Sequence, residues 1–146
     1  MLVSGEWQLR DDGGVRPIIR ARVLGSAGQL TSENFLIDSG ADRTVLSAVL
    51  LSRLHLPIQS ASPGFILRGI GGTSEFVLVS TAIEFMRDDG GSVRIRGEFA
   101  GFTDPRATDI SILGRDVLDN FDLIIGRHRN TILLLAPRHR YHVDRE

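Results

Sequence analysis

The sequence predicts an all-β fold with one or two short helices, and three features carry that reading. The 16 glycines of the 146-residue chain fall mostly between short apolar segments rich in Val, Ile, Leu and Phe. "DDGG" occurs at 11–14 and again at 88–91, and Asp and Gly accept the positive φ that hairpin turns need. Alternation is clear in "IRARVL" and "VRIRGEF", where Arg20 and Arg22 face one way and Arg94 and Arg96 likewise. Such strands have one wet face and one packed face.

The elements follow in order. After the first turn come "PIIRARVLG" and "FLIDSG". "TVLSAVLLSRLHL" (44–56) has apolar residues at helical spacing, and Pro57 stops it. "FILRGIGGTSEFVL" places glycine-rich residues 69–72 between two alternating strands, and "SEFVLVSTAIEFM" (74–86) is a longer strand. After the second turn come "VRIRGEFAGF" and "DISILGRD", then one or two helical turns in "GRDVLDNF" (114–121). "FDLIIGRHRNTILLLA" reads as two strands joined by a turn at Gly126 to Asn130. The halves form a weak internal repeat: Arg20, Arg22 and Gly40 match Arg94, Arg96 and Gly114 at an offset of 74. It implies a pseudo-two-fold with "FLIDSG" and "SILGRD" as matching loops.

Length fits a single domain over 1–146, with a core at about 18–136 and a polar tail at about 137–146. Hydrophobic content of 42% and charged content of 24% are ordinary for a globular protein. A net charge of −1 gives no electrostatic reason to expect nucleic acid or an anionic membrane as partner. The absence of cysteine excludes a disulfide framework, a thiolate zinc site and a thiol nucleophile. No apolar run approaches a membrane span, and "MLVSGEWQLRDD" lacks the marks of a signal peptide. The expectation is a cytoplasmic protein, although a domain of a longer chain reads the same way.

The chemistry centres on Asp38, where an apolar strand runs into "DSG". An Asp ending a strand is commonly a turn acceptor, and Asp-Ser-Gly alone is weak evidence. "GIGG" (69–72) alone is equally an ordinary hairpin loop, and a phosphate loop would require a helix after the glycines, where the sequence is strand-like. Asp116, Asp119 and Asp122 read as caps and solvated charges around a helix start rather than a metal site. His55, His128, His139 and His142 lack ligand-like partners.

Taken in order, "DSGADRTVL", "GIGG" and "ILGRD" resemble the active-site loop, flap tip and C-terminal helix opening of the retropepsins, the retroviral-type aspartic proteases. The resemblance spans about residues 18–122 and implies a closed, barrel-like single lobe with a flap hairpin. It also implies a protease, without metal or cofactor, acting on peptide or protein substrates. Amide hydrolysis by carboxylates needs two of them about 3 Å apart sharing a proton, with a water between. This chain has one Asp in the required turn, and the matching turn carries Ile112, Leu113 and Gly114. A symmetric homodimer supplies the second Asp38.

By the same resemblance, Asp38 is the catalytic acid/base, and Ser39 bonds across to the other subunit's loop. Gly40 lets the chain turn and substrate approach. Asp42 anchors substrate main chain and pairs with Arg115, for which the bidentate guanidinium is suited. Gly69, Gly71 and Gly72 give the flap its flexibility, with Ile70 at the tip. Ala41, Leu46, Ile70 and Ile112 are candidate pocket walls, implying apolar side chains around the cut bond. A retropepsin-fold dimer that binds extended peptides by strand addition without cutting them is the rival reading. Small viral enzymes use their termini to knit the dimer; here "NTILLLAP" is instead a further strand, in the core or at the subunit interface.

Overall fold

The computed structural model describes residues 1–60 and 76–136, together with the strand backbones of 67–69 and 72–74. The first half holds β1 (Leu2–Ser4), β2 (Glu6–Leu9), β3 (Val15–Leu24), β4 (Leu30–Ile37), β5 (Val45–Leu46), α1 (Ala48–Leu54) and β6 (Gln59–Ser60). A small hairpin, β7 (Leu67–Gly69) and β8 (Gly72–Ser74), leads to β9 (Phe76–Met86) and β10 (Ser92–Phe102). The chain continues through β11 (Ser111–Leu113), α2 (Arg115–Leu118), β12 (Asp122–Gly126) and β13 (Thr131–Leu135). The expected all-β fold with two short helices is therefore what the chain adopts.

Both "DDGG" segments are hairpin turns, and they share their bonding. Gly13 and Gly90 sit at φ +82° and +87°, the left-handed backbone that glycine adopts without strain. Gly13 and Gly90 donate to the carbonyls of Arg10 and Arg87 at 3.0 Å in each case. Asp12 and Asp89 then accept the amides of Gly14 and Gly91 at 2.9 Å.

The large sheet runs β2-β3-β4-β11-β5-β10-β9-β6, and an added β3–β9 pairing returns it on itself. Strands β3, β4, β11, β5, β10 and β9 thus form a closed circuit of hydrogen-bonded neighbours around Ile19, Phe35, Leu46, Ile83, Phe85 and Leu113. Val3 on β1 is also buried, so the core takes in residues before 18. A second sheet, β1-β13-β12, packs Ile132 and Leu134 into the same core.

Glu84, on β9, lies beside Arg22 of β3 and Arg94 of β10 in register. Both guanidiniums pair with its buried carboxylate. One arginine from each alternating pair thus meets on this acid, whereas Arg20 donates to Asn34 on β4 instead. The Arg94 hydrogen bond, helped by Arg22, holds the Glu84 carboxyl below its ordinary value.

The expected helix over 44–56 is shorter than its apolar spacing suggests. Val45 and Leu46 instead form β5, paired with Ala100 and Gly101 of β10. The helix starts at Ser47, whose hydroxyl accepts the Leu50 amide at 3.2 Å, and ends at His55 in left-handed backbone. It buries Leu50, Leu51 and Leu54, each worth about 2 kcal/mol of apolar burial. Leu46 is fully buried in the core and cannot line a pocket, because its side chain is spent on internal packing.

Candidate active site

The site is built where β4 and β11 run parallel, with Phe35, Leu36 and Ile37 beside Ser111, Ile112 and Leu113. Ile112 also pairs antiparallel with Val45, so β11 lies between the strands that precede and follow the Asp38 loop. The two loops foreseen as a matched pair therefore lie side by side, at the ends of strands whose residues 35–37 and 111–113 are parallel neighbours. Asp38 leaves the end of β4 with its amide donating to the Leu113 carbonyl at 3.1 Å.

The loop closes on itself. Asp38 Oδ1 accepts the Gly40 amide at 3.0 Å, and the Asp38 carbonyl accepts the Ala41 amide at 3.1 Å. These bonds leave Asp38 Oδ2 with no hydrogen-bond partner among the described residues. Gly40 is not in left-handed backbone; a Cβ there would stand 3.2 Å from Asp38 Oδ1 and crowd the carboxylate. Ser39 is exposed, and its hydroxyl makes no hydrogen bond among the described residues.

Helix α2 fastens the far side of the loop. The Arg115 amide donates to the Ala41 carbonyl at 2.8 Å, and the Asp116 amide to the Asp42 carbonyl at 3.3 Å. The Arg115 guanidinium forms an ion pair with Asp42, joining residues 73 apart in sequence. Both side chains are well exposed, at 49% and 80%, so water screens the pair.

Two supporting groups were not legible as such in the sequence. Thr44 is fully buried, and its amide and hydroxyl both donate to Asp116 Oδ1, at 2.8 and 2.7 Å. The same hydroxyl accepts the Gly114 amide at 3.0 Å. Asp116, an exposed acid in the first turn of α2, thus also ties the loop to the helix. Glu33 accepts the hydroxyls of Ser111 at 2.9 Å and Ser47 at 3.4 Å, linking β4, β11 and the start of α1. A signal for the first tie exists in the sequence: a Thr among apolar neighbours needs a polar partner once buried. Its identity, 72 residues away, needs the fold.

Ile112 is half-buried and packs against a small apolar cluster of Val45, Phe76, Ala100 and Phe102. Gly69 pairs with Gly72 across the β7–β8 hairpin. Ile70 and Gly71, expected at its tip, and the tail at 137–146 lie outside the described residues. Among the described residues no cluster of three or more His, Asp or Glu could hold a metal. No helix among them is long and apolar enough to cross a membrane.

An acid-bearing loop and an acid-free loop, side by side and tied by a short helix, define a lobe of the acid-protease class. The retroviral aspartyl protease family matches residues 14–125, and the chain belongs to that family. Among solved structures it is similar to the EIAV protease in complex with the inhibitor HBY-793, at 25% identity and a TM-score of 0.54. That match covers 71% of this chain and 86% of the viral one. It is also similar to a retropepsin-like aspartic protease from Rickettsia conorii, at 15% identity and a TM-score of 0.57. There the match covers 92% of this chain and 88% of the other. No curated protein matches.

Proposed function

We propose that the chain is one subunit of a homodimeric aspartic endopeptidase that cuts peptide bonds between apolar residues. The observation that carries this reading is a single Asp38, one oxygen free, beside a loop of Leu113 and Gly114 with no acid of its own. A two-fold axis passing at this point sets one Asp38 against its twin.

Two carboxylates at about 3 Å cannot both ionise, so the pair shares one proton. The ionised member takes a proton from a water as that water attacks the substrate carbonyl carbon. The protonated member gives its proton to the carbonyl oxygen, yielding a neutral tetrahedral diol. Collapse of the diol breaks the C–N bond: the protonated carboxyl gives its proton to the leaving nitrogen while the ionised one takes a single hydroxyl proton, leaving a carboxylic acid, a free amine and the dyad with its one proton.

The other residues take supporting roles. The unsatisfied Ser39 hydroxyl bonds to the opposite loop across the axis. Asp42, fixed by Arg115, receives substrate main chain next to the dyad. Ala41 and Ile112 offer apolar walls, and the β7–β8 hairpin, with Gly69 and Gly71 around Ile70, serves as a flap over the substrate. Cleavage of a mixed peptide library tests the reading: Asp38→Asn abolishes cleavage while peptide binding survives. A folded, dimeric wild-type protein that cuts nothing in the library would favour the peptide-binding alternative.

A further inference from the structure

A polar groove of about 450 Å³ runs along β3 and β4, lined among others by Gln8, Arg16, Arg20, Asn34 and Asp109. We infer that it is an outer subsite of the peptide site, taking an acidic side chain of the substrate about four residues from the cut bond. This rests on the protease reading above and adds what the enzyme recognises beyond the apolar residues at the cut.

Three observations carry it. First, the strands lead from the groove to the site. Arg20 faces Asn34 across the β3–β4 pair, and Ile18 faces Leu36, which lies beside Ile112 on β11. Ile19, Phe35 and Ile37 belong to the core, so strand alternation puts Arg20, Asn34 and Leu36 on the opposite face. From Asn34 the chain reaches Asp38 in roughly 13 Å of extended strand. Ile110, which also lines the groove, stands just before β11 and its Ile112.

Second, the acids of the groove are already engaged. Both terminal nitrogens of Arg16 donate to Asp109 Oδ2 at 3.2 Å, and its Nη1 reaches Oδ1 at 3.3 Å. Glu33 accepts the hydroxyls of Ser111 and Ser47.

Third, the groups left over are mostly donors. Gln8 Oε1 accepts Arg16 Nε at 3.0 Å, and Asn34 Oδ1 accepts Arg20 Nε at 3.3 Å. Each amide therefore has its oxygen occupied and its nitrogen unbonded among the described residues. Arg20 is exposed, and its two terminal nitrogens make no hydrogen bond among the described residues. A carboxylate answers this arrangement, because it only accepts and its two oxygens match the guanidinium fork. A lysine or arginine side chain would bring donors to donors.

The test moves one charge along a peptide. A single Glu placed in turn at the second to sixth residue on either side of the cut bond should, at one distal position, raise kcat/KM about tenfold over Gln, through KM. Lys at that position should do no better than Gln. Arg20→Ala should bring the Glu peptide down to its Gln counterpart, Arg20→Lys should restore part of the preference, and added salt should erode it. Wild type that treats Glu and Gln alike at every position, or a Glu preference that survives Arg20→Ala, would overturn the inference. If Arg20→Ala fails to fold, the wild-type preference and its salt dependence decide. Fluorescence anisotropy of the same peptides, labelled, reads binding without cleavage. An Arg20-dependent preference for Glu in a protein that cuts nothing would support the groove and overturn the protease reading.

Discussion

Thr44 and Asp116 are joined twice: the amide and the hydroxyl of the threonine both donate to the same carboxylate oxygen, at 2.8 and 2.7 Å. The hydroxyl also accepts from Gly114 at 3.0 Å, so one buried side chain ties the strand after the Asp38 loop to the second loop and its helix. Asp116→Ala would leave two donors unanswered and should cost about 1–3 kcal/mol of stability. Asp116→Asn keeps an acceptor oxygen and should cost less. Denaturant unfolding of the two variants checks the order.

Gly114 is required by space rather than by backbone conformation. At φ −98° any residue fits the dihedral, but a Cβ would stand 2.4 Å from the Arg43 carbonyl carbon and 2.5 Å from its oxygen. Those atoms belong to the loop backbone and cannot swing aside. Gly114→Ala should therefore cost about 3 kcal/mol or prevent folding, read by thermal unfolding. Gly13→Ala, with open space around it but a positive φ, should cost only about 1 kcal/mol.

The Asp42–Arg115 pair should matter for activity more than for stability. Its exposure limits its stabilising effect to about 1 kcal/mol or less. If Asp42 holds substrate main chain, Arg115→Ala should lower kcat/KM by about tenfold or more while the melting temperature scarcely moves. An equal loss of stability and activity would make the pair merely structural.

Glu84 sets an acid limit on the fold. Its carboxyl is held below the ordinary 4.5 in the folded chain, first by the Arg94 hydrogen bond. Unfolding therefore takes up a proton at low pH. The stabilisation is fully present above about 4.5 and is lost as pH falls through the lower folded value. Glu84→Gln should flatten this part of the stability profile. Arg22→Ala together with Arg94→Ala should destabilise more than the sum of the single changes, since the buried carboxylate would then be unpaired. Urea titrations across pH 3 to 7 (about four units) read both effects.

The sequence shows local rules well and long-range partners poorly. The two Asp-Gly turns, the alternating arginine strands and the loop at Asp38 follow from neighbours a few residues apart, and the structure contains them. The segment 44–56 departs from its helical spacing because Val45 and Leu46 gain more as a strand between β10 and β11 than as a first helical turn. Strand β1 has no local signature; it forms because β13, at the far end of the chain, offers it an edge. The tie from Asp116 to Thr44 has no local signature for the same reason, since the two lie 72 residues apart.

The shared active site is the central claim, and mixing wild-type protein with Asp38→Asn tests it most directly. After subunit exchange at equal amounts, about one quarter of the dimers would carry two Asp38 carboxylates, so cleavage should fall to about a quarter of that of the same total of wild type. A fall to about half, following the wild-type fraction linearly, would mean that each chain acts alone and would contradict the account.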